Sequence, residues 1–259
     1  MKILIVLGSP RRKNTYKLTG LFEEYLRADT QTAVEYLFLK EHALDYCRGC
    51  HTCLRLNEEK CPHHEVTASL KETMDQADGV IFAYPSYMSN LPALMKNFVD
   101  HFAYLQHRPC YFEKKALILT TSQGSGLKKS RKYMEFVVKS WGFHLVGTIE
   151  IKMLAYERSE KYQLNVKRQI QKLSTQFINA LLTQKSHVPS ISQLIDFQVW
   201  RLIVTSTRNS YPRDYEYWEK MEWLSKGYYN DVSINPIKKR FAKILFNTAN
   251  PLIKRSYNL

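Results

Sequence analysis

The sequence predicts an α/β protein. Its first part is a doubly wound sheet of five parallel strands in the order 2-1-3-4-5. A mostly helical extension rich in aromatic residues, Lys and Arg follows. Three observations carry this. Short apolar runs alternate with helix-period segments five times over about 180 residues. The runs are apolar without alternation, as in strands covered on both faces. Loops of Gly, Ser, Thr, Asn and Tyr follow the first, third and fourth runs, where such a sheet places its ligand. Right-handed crossovers then favour the 2-1-3-4-5 order.

In chain order, Lys2–Leu7 is the first strand, with Ile3, Ile5 and Val6 β-branched. Gly8 breaks it, Ser9-Pro10-Arg11 turns, and a helix runs over about Thr15–Ala28 on Leu18, Leu21, Phe22, Tyr25 and Leu26. Val34–Leu39 is the second strand, and a polar, Cys-rich loop spans Glu41–His64. A helix over Glu65–Ala77 precedes the third strand, Gly79–Ala83. After the loop Tyr84–Asn90 comes a helix over Leu91–Leu105, then the fourth strand, Lys115–Thr120. Thr121–Gly126 is the next loop, before a helix over Leu127–Trp141, a fifth strand over Phe143–Ile151 and a long helix over Glu157–Leu182. Two domains are expected, 1–185 and 186–259.

Composition narrows the class. The chain has 259 residues, 44% of them hydrophobic, which suits a packed core rather than disorder. No signal peptide and no bilayer-spanning run is evident, so a cytoplasmic location is expected. The net charge of +14 favours anionic partners: a phosphorylated cofactor, NADPH, nucleic acid or an anionic membrane surface, among which charge alone does not choose. Five cysteines without a secretory signal argue against a disulfide framework.

The first loop has the chemistry of a phosphate site. Free N–H groups of a helix's first turn favour an anion; Ser9, Asn14 and Thr15 add polar side chains and Arg11 a charge. The loop lacks GxxxxGK[ST] and GxGxxG, so a mononucleotide is the better fit. An ordinary βα turn whose Ser and Thr cap the helix has the same composition. The cysteines fall as Cys47-x2-Cys50-x2-Cys53-x7-Cys61, with Pro62 next. Four thiolates this close suit a [4Fe–4S] cluster. Structural or reduced thiols without metal are a second reading, and zinc with His51, His63 or His64 a third, disfavoured by the tight triplet. Cys110 stands apart as an incidental thiol. Lys96 and Asp100, at i and i+4, read as a structural ion pair.

GSPRRKNT, YPSYMSNLPALMKNFVDHF and the Cys-rich loop, in that order over residues 1–182, resemble the NAD(P)H-dependent FMN reductases of the flavodoxin-like superfamily, and within them the iron–sulfur flavoproteins. The resemblance implies that Ser9, Arg11, Asn14 and Thr15 hold the FMN phosphate. It implies that Pro85, Ser86, Tyr87, Met88, Ser89 and Asn90 line the flavin, and that Thr121, Ser122, Gly124, Ser125 and Gly126 reach its isoalloxazine edge. A flat, apolar ring with polar edges needs such a set: Tyr87 and Met88 as a wall, and glycine backbone close to the edge where charge develops. The implied activity moves electrons from NAD(P)H through FMN to a small-molecule or protein acceptor. A [4Fe–4S] cluster on Cys47, Cys50, Cys53 and Cys61 would relay single electrons, although similar cysteine runs occur in relatives without one. No residue reads as a catalytic acid or base. The resemblance implies a homodimer or tetramer. An electron carrier reduced by a partner protein, and a scaffold docked through its tail, are the rival readings.

The extension departs from the usual end of this fold. Phe197, Trp200, Tyr211, Tyr215, Tyr217, Trp218, Trp223, Tyr228 and Tyr229 crowd one stretch. They are expected to pack the extension onto the core or a second subunit, or to cover the flavin, rather than to stack on nucleic acid, which is not expected as a partner. The last 26 residues hold Lys238, Lys239, Arg240, Lys243, Lys254 and Arg255 and no acid. Ile237, Phe241, Ile244 and Leu245 make this a basic amphipathic helix, able to touch an anionic membrane or to dock on its own protein.

Overall fold

The computed structural model describes residues 1–29, 32–183 and 188–257. Its elements run β1 (Lys2–Leu7), α1 (Asn14–Asp29), β2 (Ala33–Phe38), α2 (Thr52–Arg55), α3 (His64–Asp75), β3 (Gly79–Pro85), α4 (Ala93–His101), α5 (Tyr104–His107), β4 (Lys115–Ser122) and α6 (Leu127–Ser140). They continue with β5 (His144–Lys152), α7 (Met153–Arg158), α8 (Glu160–Thr183), α9 (Ile191–Ser206), α10 (Pro212–Lys220) and α11 (Pro236–Tyr257).

The chain divides into two compact units: Met1–Gly49 with His63–Lys185, and Cys50–Pro62 with Ser186–Leu259. The domain boundary expected at 185/186 lies outside the described residues.

In the first unit the strands form one sheet, β2-β1-β3-β4-β5, every pair parallel. This is the flavodoxin-like topology. The apolar runs are interior strands because both sheet faces are covered: Ile3 to Leu7 and Val80 to Tyr84 are fully buried. On one face, Ile3, Ile5, Leu7, Ile81, Ala83, Leu117 and Leu119 meet Leu18, Phe22 and Leu26 of α1 and Val166, Ile170 and Phe177 of α8. On the other, Phe82 lies edge-on to Trp141 and Phe143, and Phe98 and Phe102 pack around the same Trp141. The edge strand β2 is more exposed, with Glu35 paired to Lys2 across the edge. The register sets Leu7 beside Ala83 and Pro85 beside Thr121. The chain therefore leaves β1, β3 and β4 at one end of the sheet, side by side.

Two expected helices are divided. The long helix expected from Glu157 is α7 and α8, broken where Ser159 adopts extended backbone. The helix expected over Leu91–Leu105 begins only after Pro92, whose extended backbone precedes the first turn, and stops at Phe102 before α5.

In the second unit, α9 opens with a capping box of Ser190 and Gln193. Of the extension's aromatics, Phe197, Tyr217, Trp218, Trp223, Tyr228 and Tyr229 pack on one another. Phe197 stacks on Trp218 with ring centroids 5.5 Å apart, Trp223 and Tyr229 close the cluster edge-on, and the Trp223 indole donates to the Tyr229 carbonyl at 2.7 Å. A unit this small needs a core of its own, and large rings build one from few residues. The basic helix is longer than its apolar periodicity suggested and runs through Pro251. Its Ala242 is buried, and α11 packs along α9.

Candidate flavin site

The site grows from the ends of β1, β3 and β4. Gly8 leaves β1 with its N–H donating to the Ala83 carbonyl at 2.9 Å. A Cβ there would sit 2.7 Å from that of Met95, so the close approach of this loop to α4 requires glycine. The loop then folds on itself: the Ser9 hydroxyl donates to the Arg11 carbonyl at 2.7 Å and accepts the Arg11 N–H at 3.3 Å. Arg11 stands exposed. Its neighbour Arg12 is held by Glu41 and by the Phe38 ring, 3.9 Å below the guanidinium. The first turn of α1 carries no acid of its own, which leaves its dipole favourable to an anion.

Buried Thr15, in that turn, lies with its hydroxyl oxygen 2.8 Å from that of Thr121 at the end of β4. Ser86, just past β3, donates its N–H to the Thr121 carbonyl at 2.7 Å, and its hydroxyl reaches the Gly126 carbonyl at 3.5 Å. A Cβ on Gly126, at φ +91°, would meet the Ser89 Cα at 2.7 Å. The three loops are thus stitched into one rim.

The β3 loop has unusual backbone. Tyr87 and Asn90 exchange N–H···O bonds at 3.1 and 2.9 Å, closing a two-residue turn. Its central residues, Met88 and Ser89, have φ of +47° and +64°. Both signs are those of a primed turn, which Asn-Gly adopts easily and Met-Ser does not. The left-handed conformation costs about 1 kcal/mol or more per residue here. The turn leaves the Met88 side chain 99% exposed and Tyr87 42% exposed, both available to a flat apolar ligand. In the β4 loop the Ser122 hydroxyl donates to the Ser125 carbonyl at 3.0 Å and accepts the Gly124 N–H at 3.2 Å, leaving Gly124 in open space.

The structure thus brings Thr15, Ser86, Ser89, Thr121 and Gly126 into contact, with Pro85, Tyr87, Met88, Asn90, Ser122, Gly124 and Ser125 in the same two loops. Two polar side chains are engaged elsewhere: Ser9 within its own turn, and Asn14, whose amide donates to Glu157 at 3.1 Å. Glu157, on α7, was not found by sequence reasoning. It is 143 residues from Asn14, and no local pattern marks the pairing.

The cysteines lie apart from this rim in sequence. Cys47 and Cys50 are exposed, Cys53 and Cys61 half-buried, and Cys50 Sγ accepts from the Thr52 hydroxyl at 3.2 Å. Among the described residues, no three or more His, Cys, Asp or Glu side chains are arranged to hold a metal ion. The donor chemistry suits a cluster.

The segment leading to Cys47 is latched to α4. The Asn97 amide donates to the Leu44 and Asp45 carbonyls at 3.0 and 3.1 Å and accepts the Cys47 N–H at 3.0 Å. One turn on, His101 Nε2 lies 2.8 Å from the Asp45 carbonyl. Lys96 and Asp100, between them, form the expected ion pair. His101 is buried, and burial pulls its pKa below the usual imidazole value; the bond to Asp45 opposes this, and the edge-on ring of His63, 5.1 Å away, adds to it.

A five-stranded parallel sheet with this strand order and a loop rim at its carboxyl end defines a flavodoxin-like α/β protein. The chain belongs to the NADPH-dependent FMN reductase family, whose sequence profile matches residues 1–153. It is 28% identical over 202 residues to an iron–sulfur flavoprotein of Clostridioides difficile (strain 630), covering 76% of this chain and 86% of that protein. It is 33% identical over 149 residues to an iron–sulfur flavoprotein of Archaeoglobus fulgidus, covering 57% of this chain and 66% of that one. Among solved structures, it superposes on an FMN-dependent NADH-azoreductase from Bacillus anthracis in complex with FMN (TM-score 0.54, 14% identity, 67% of this chain and 97% of that one). It also superposes on an NAD(P)H:quinone oxidoreductase from Methanothermobacter marburgensis (TM-score 0.53, 20% identity, 67% and 96%). At these identities the superpositions speak to the fold.

The latch titrates. With its pKa lowered, native His101 binds fewer protons than the unfolded chain, so its contribution to stability is full above the ordinary value of about 6.5 and is lost as pH falls through it towards the native value. Urea unfolding from pH 7.5 to 5 should show this loss, and His101→Gln, which keeps a donor for Asp45, should flatten the dependence.

Proposed function

We propose that the three-loop rim binds FMN and that the protein is an NAD(P)H-dependent oxidoreductase passing electrons to a small-molecule acceptor. The observation that carries this is the stitching of the β1, β3 and β4 loops through Thr15, Thr121, Ser86 and Gly126 at the carboxyl end of the sheet. The family membership points the same way. When bound, FMN supplies a carrier that accepts a hydride from the nicotinamide and releases electrons singly or in pairs.

The residues divide the work. The first turn of α1, the Thr15 hydroxyl and the Arg11 guanidinium receive the phosphate. Ser9 and Asn14 shape the loop, one through its own turn and the other through Glu157. Pro85 to Asn90 form the flavin wall, with the exposed Met88 and Tyr87 as its apolar contact. Thr121 to Gly126 bring backbone to the polar edge of the ring, where Gly124 leaves room for close approach. No side chain of the rim is needed as a general acid or base. The assembly is a homodimer or tetramer in the cytoplasm. Among the described residues, no helix is long and apolar enough to cross a membrane.

A second cofactor is favoured by the cysteine spacing and by the iron–sulfur flavoprotein names of the relatives: a [4Fe–4S] cluster on Cys47, Cys50, Cys53 and Cys61.

Three measurements test these readings. With FMN added, the protein should oxidise NADPH or NADH in the presence of a quinone; oxidation that does not depend on FMN contradicts the assignment. Replacing the strained turn by the preferred one, Met88→Asn with Ser89→Gly, should raise stability by about 1 kcal/mol while lowering kcat/KM, because the wall is lost and the strain relieved. Anaerobically purified protein should contain about four iron and four sulfide per chain if the cluster is present. A flavin spectrum without iron leaves the cysteines as thiols.

A further inference from the structure

We infer that α11 is a membrane-surface helix, lying in the plane of an anionic lipid bilayer with its outer face in the acyl boundary. The helix has 22 residues, Pro236–Tyr257. One side is occupied: Ala242 is buried and α11 packs on α9. A different side carries Ile237, Phe241, Ile244, Leu245 and Leu252, all exposed, from 38% at Leu245 to 79% at Ile237. Their spacing places them in one stripe along the helix. Thr248 falls on the same stripe, and its hydroxyl is turned back to the Ile244 and Leu245 carbonyls at 3.2 and 2.9 Å. Thr248 thus has an internal partner and loses little on leaving water, and Arg255, on the same line in the last turn, can reach the headgroups.

Charge selects the occupant. From Ile234 to the end the chain has Lys238, Lys239, Arg240, Lys243, Lys254 and Arg255 and no carboxylate side chain. By helical spacing Lys238 and Arg240 flank the stripe, where long side chains reach lipid headgroups while their stems cover apolar surface. A second copy laid stripe to stripe would bring these cations together without an acid on either helix. An anionic surface complements them, and polybasic segments gain affinity there with each Lys or Arg. The helix is not apolar enough to cross the bilayer, so it rests on it.

The test is co-sedimentation of the full chain with extruded vesicles of phosphatidylcholine alone or mixed with phosphatidylglycerol. Binding should be about tenfold or more tighter to the anionic vesicles at about 0.1 M salt, and should fall steeply as salt is raised. Phe241→Glu with Leu245→Glu should abolish it while leaving FMN binding and far-ultraviolet circular dichroism unchanged. Arg240→Gln with Lys243→Gln, at exposed positions, should weaken binding several-fold, and keeps the test open if the first variant does not fold. Equal binding to both vesicle types, or none, overturns the inference. So does self-association that the Phe241 and Leu245 changes abolish in the absence of vesicle binding, which would assign the stripe to a second copy.

Discussion

The site depends on one topological constraint, the reversal of strand order at β1. The chain crosses from β1 to β2 on one side and returns to place β3 on the other. The loops leaving β1 and β3 therefore diverge, and the crevice between them lies beyond the carboxyl ends of the two most buried strands. The covered faces of Ile3 to Leu7 and Val80 to Tyr84 fix these strand ends rigidly. What remains is to close the crevice, and β4 does so. Thr121 meets Thr15 through a hydroxyl contact at 2.8 Å and Ser86 through a backbone bond at 2.7 Å. Burial of the sheet thus sets the precision of a site built otherwise from loops.

The rim also stores backbone strain at one place. A Met-Ser pair in a turn suited to Asn-Gly is a local cost without a packing benefit, since Met88 touches water over nearly its whole surface. Gly126 faces this turn so closely that any side chain would strike Ser89. A strained turn, an exposed thioether and a glycine that permits close approach make sense together if a planar ligand completes the packing. Without one, selection for stability alone would favour a different turn.

Much of this was legible in the sequence, for identifiable reasons. Continuous apolar runs at Ile3 to Leu7 and Val80 to Ala83 announced interior parallel strands, and the alternation with helices announced the topology. The rim could be read because strand ends and turn residues coincide at Gly8, Pro85 and Thr121. The sequence did not reveal pairings between distant polar residues, such as Asn14 with Glu157 or Asn97 with the segment before Cys47, because one hydrogen bond leaves no periodic trace. Nor did it show that Cys50–Pro62 groups with the C-terminal residues. That follows from α2 packing on α10, with Tyr211 Oη 3.3 Å from His51 Nδ1, a contact across 160 residues. The strained turn was hidden too, since Met88 and Ser89 carry none of the usual marks of positive φ.

In the proposed site, the phosphate end and the ring end of one ligand are held by different loops of a single rim. A titration of the protein with FMN and, separately, with riboflavin, followed by flavin fluorescence, tests it most directly. If the β1–α1 loop recognises the phosphate, one FMN binds per chain, riboflavin binds at least about tenfold more weakly, and inorganic phosphate competes with FMN but not with riboflavin. Equal affinity for the two flavins, or no binding of either, would contradict it.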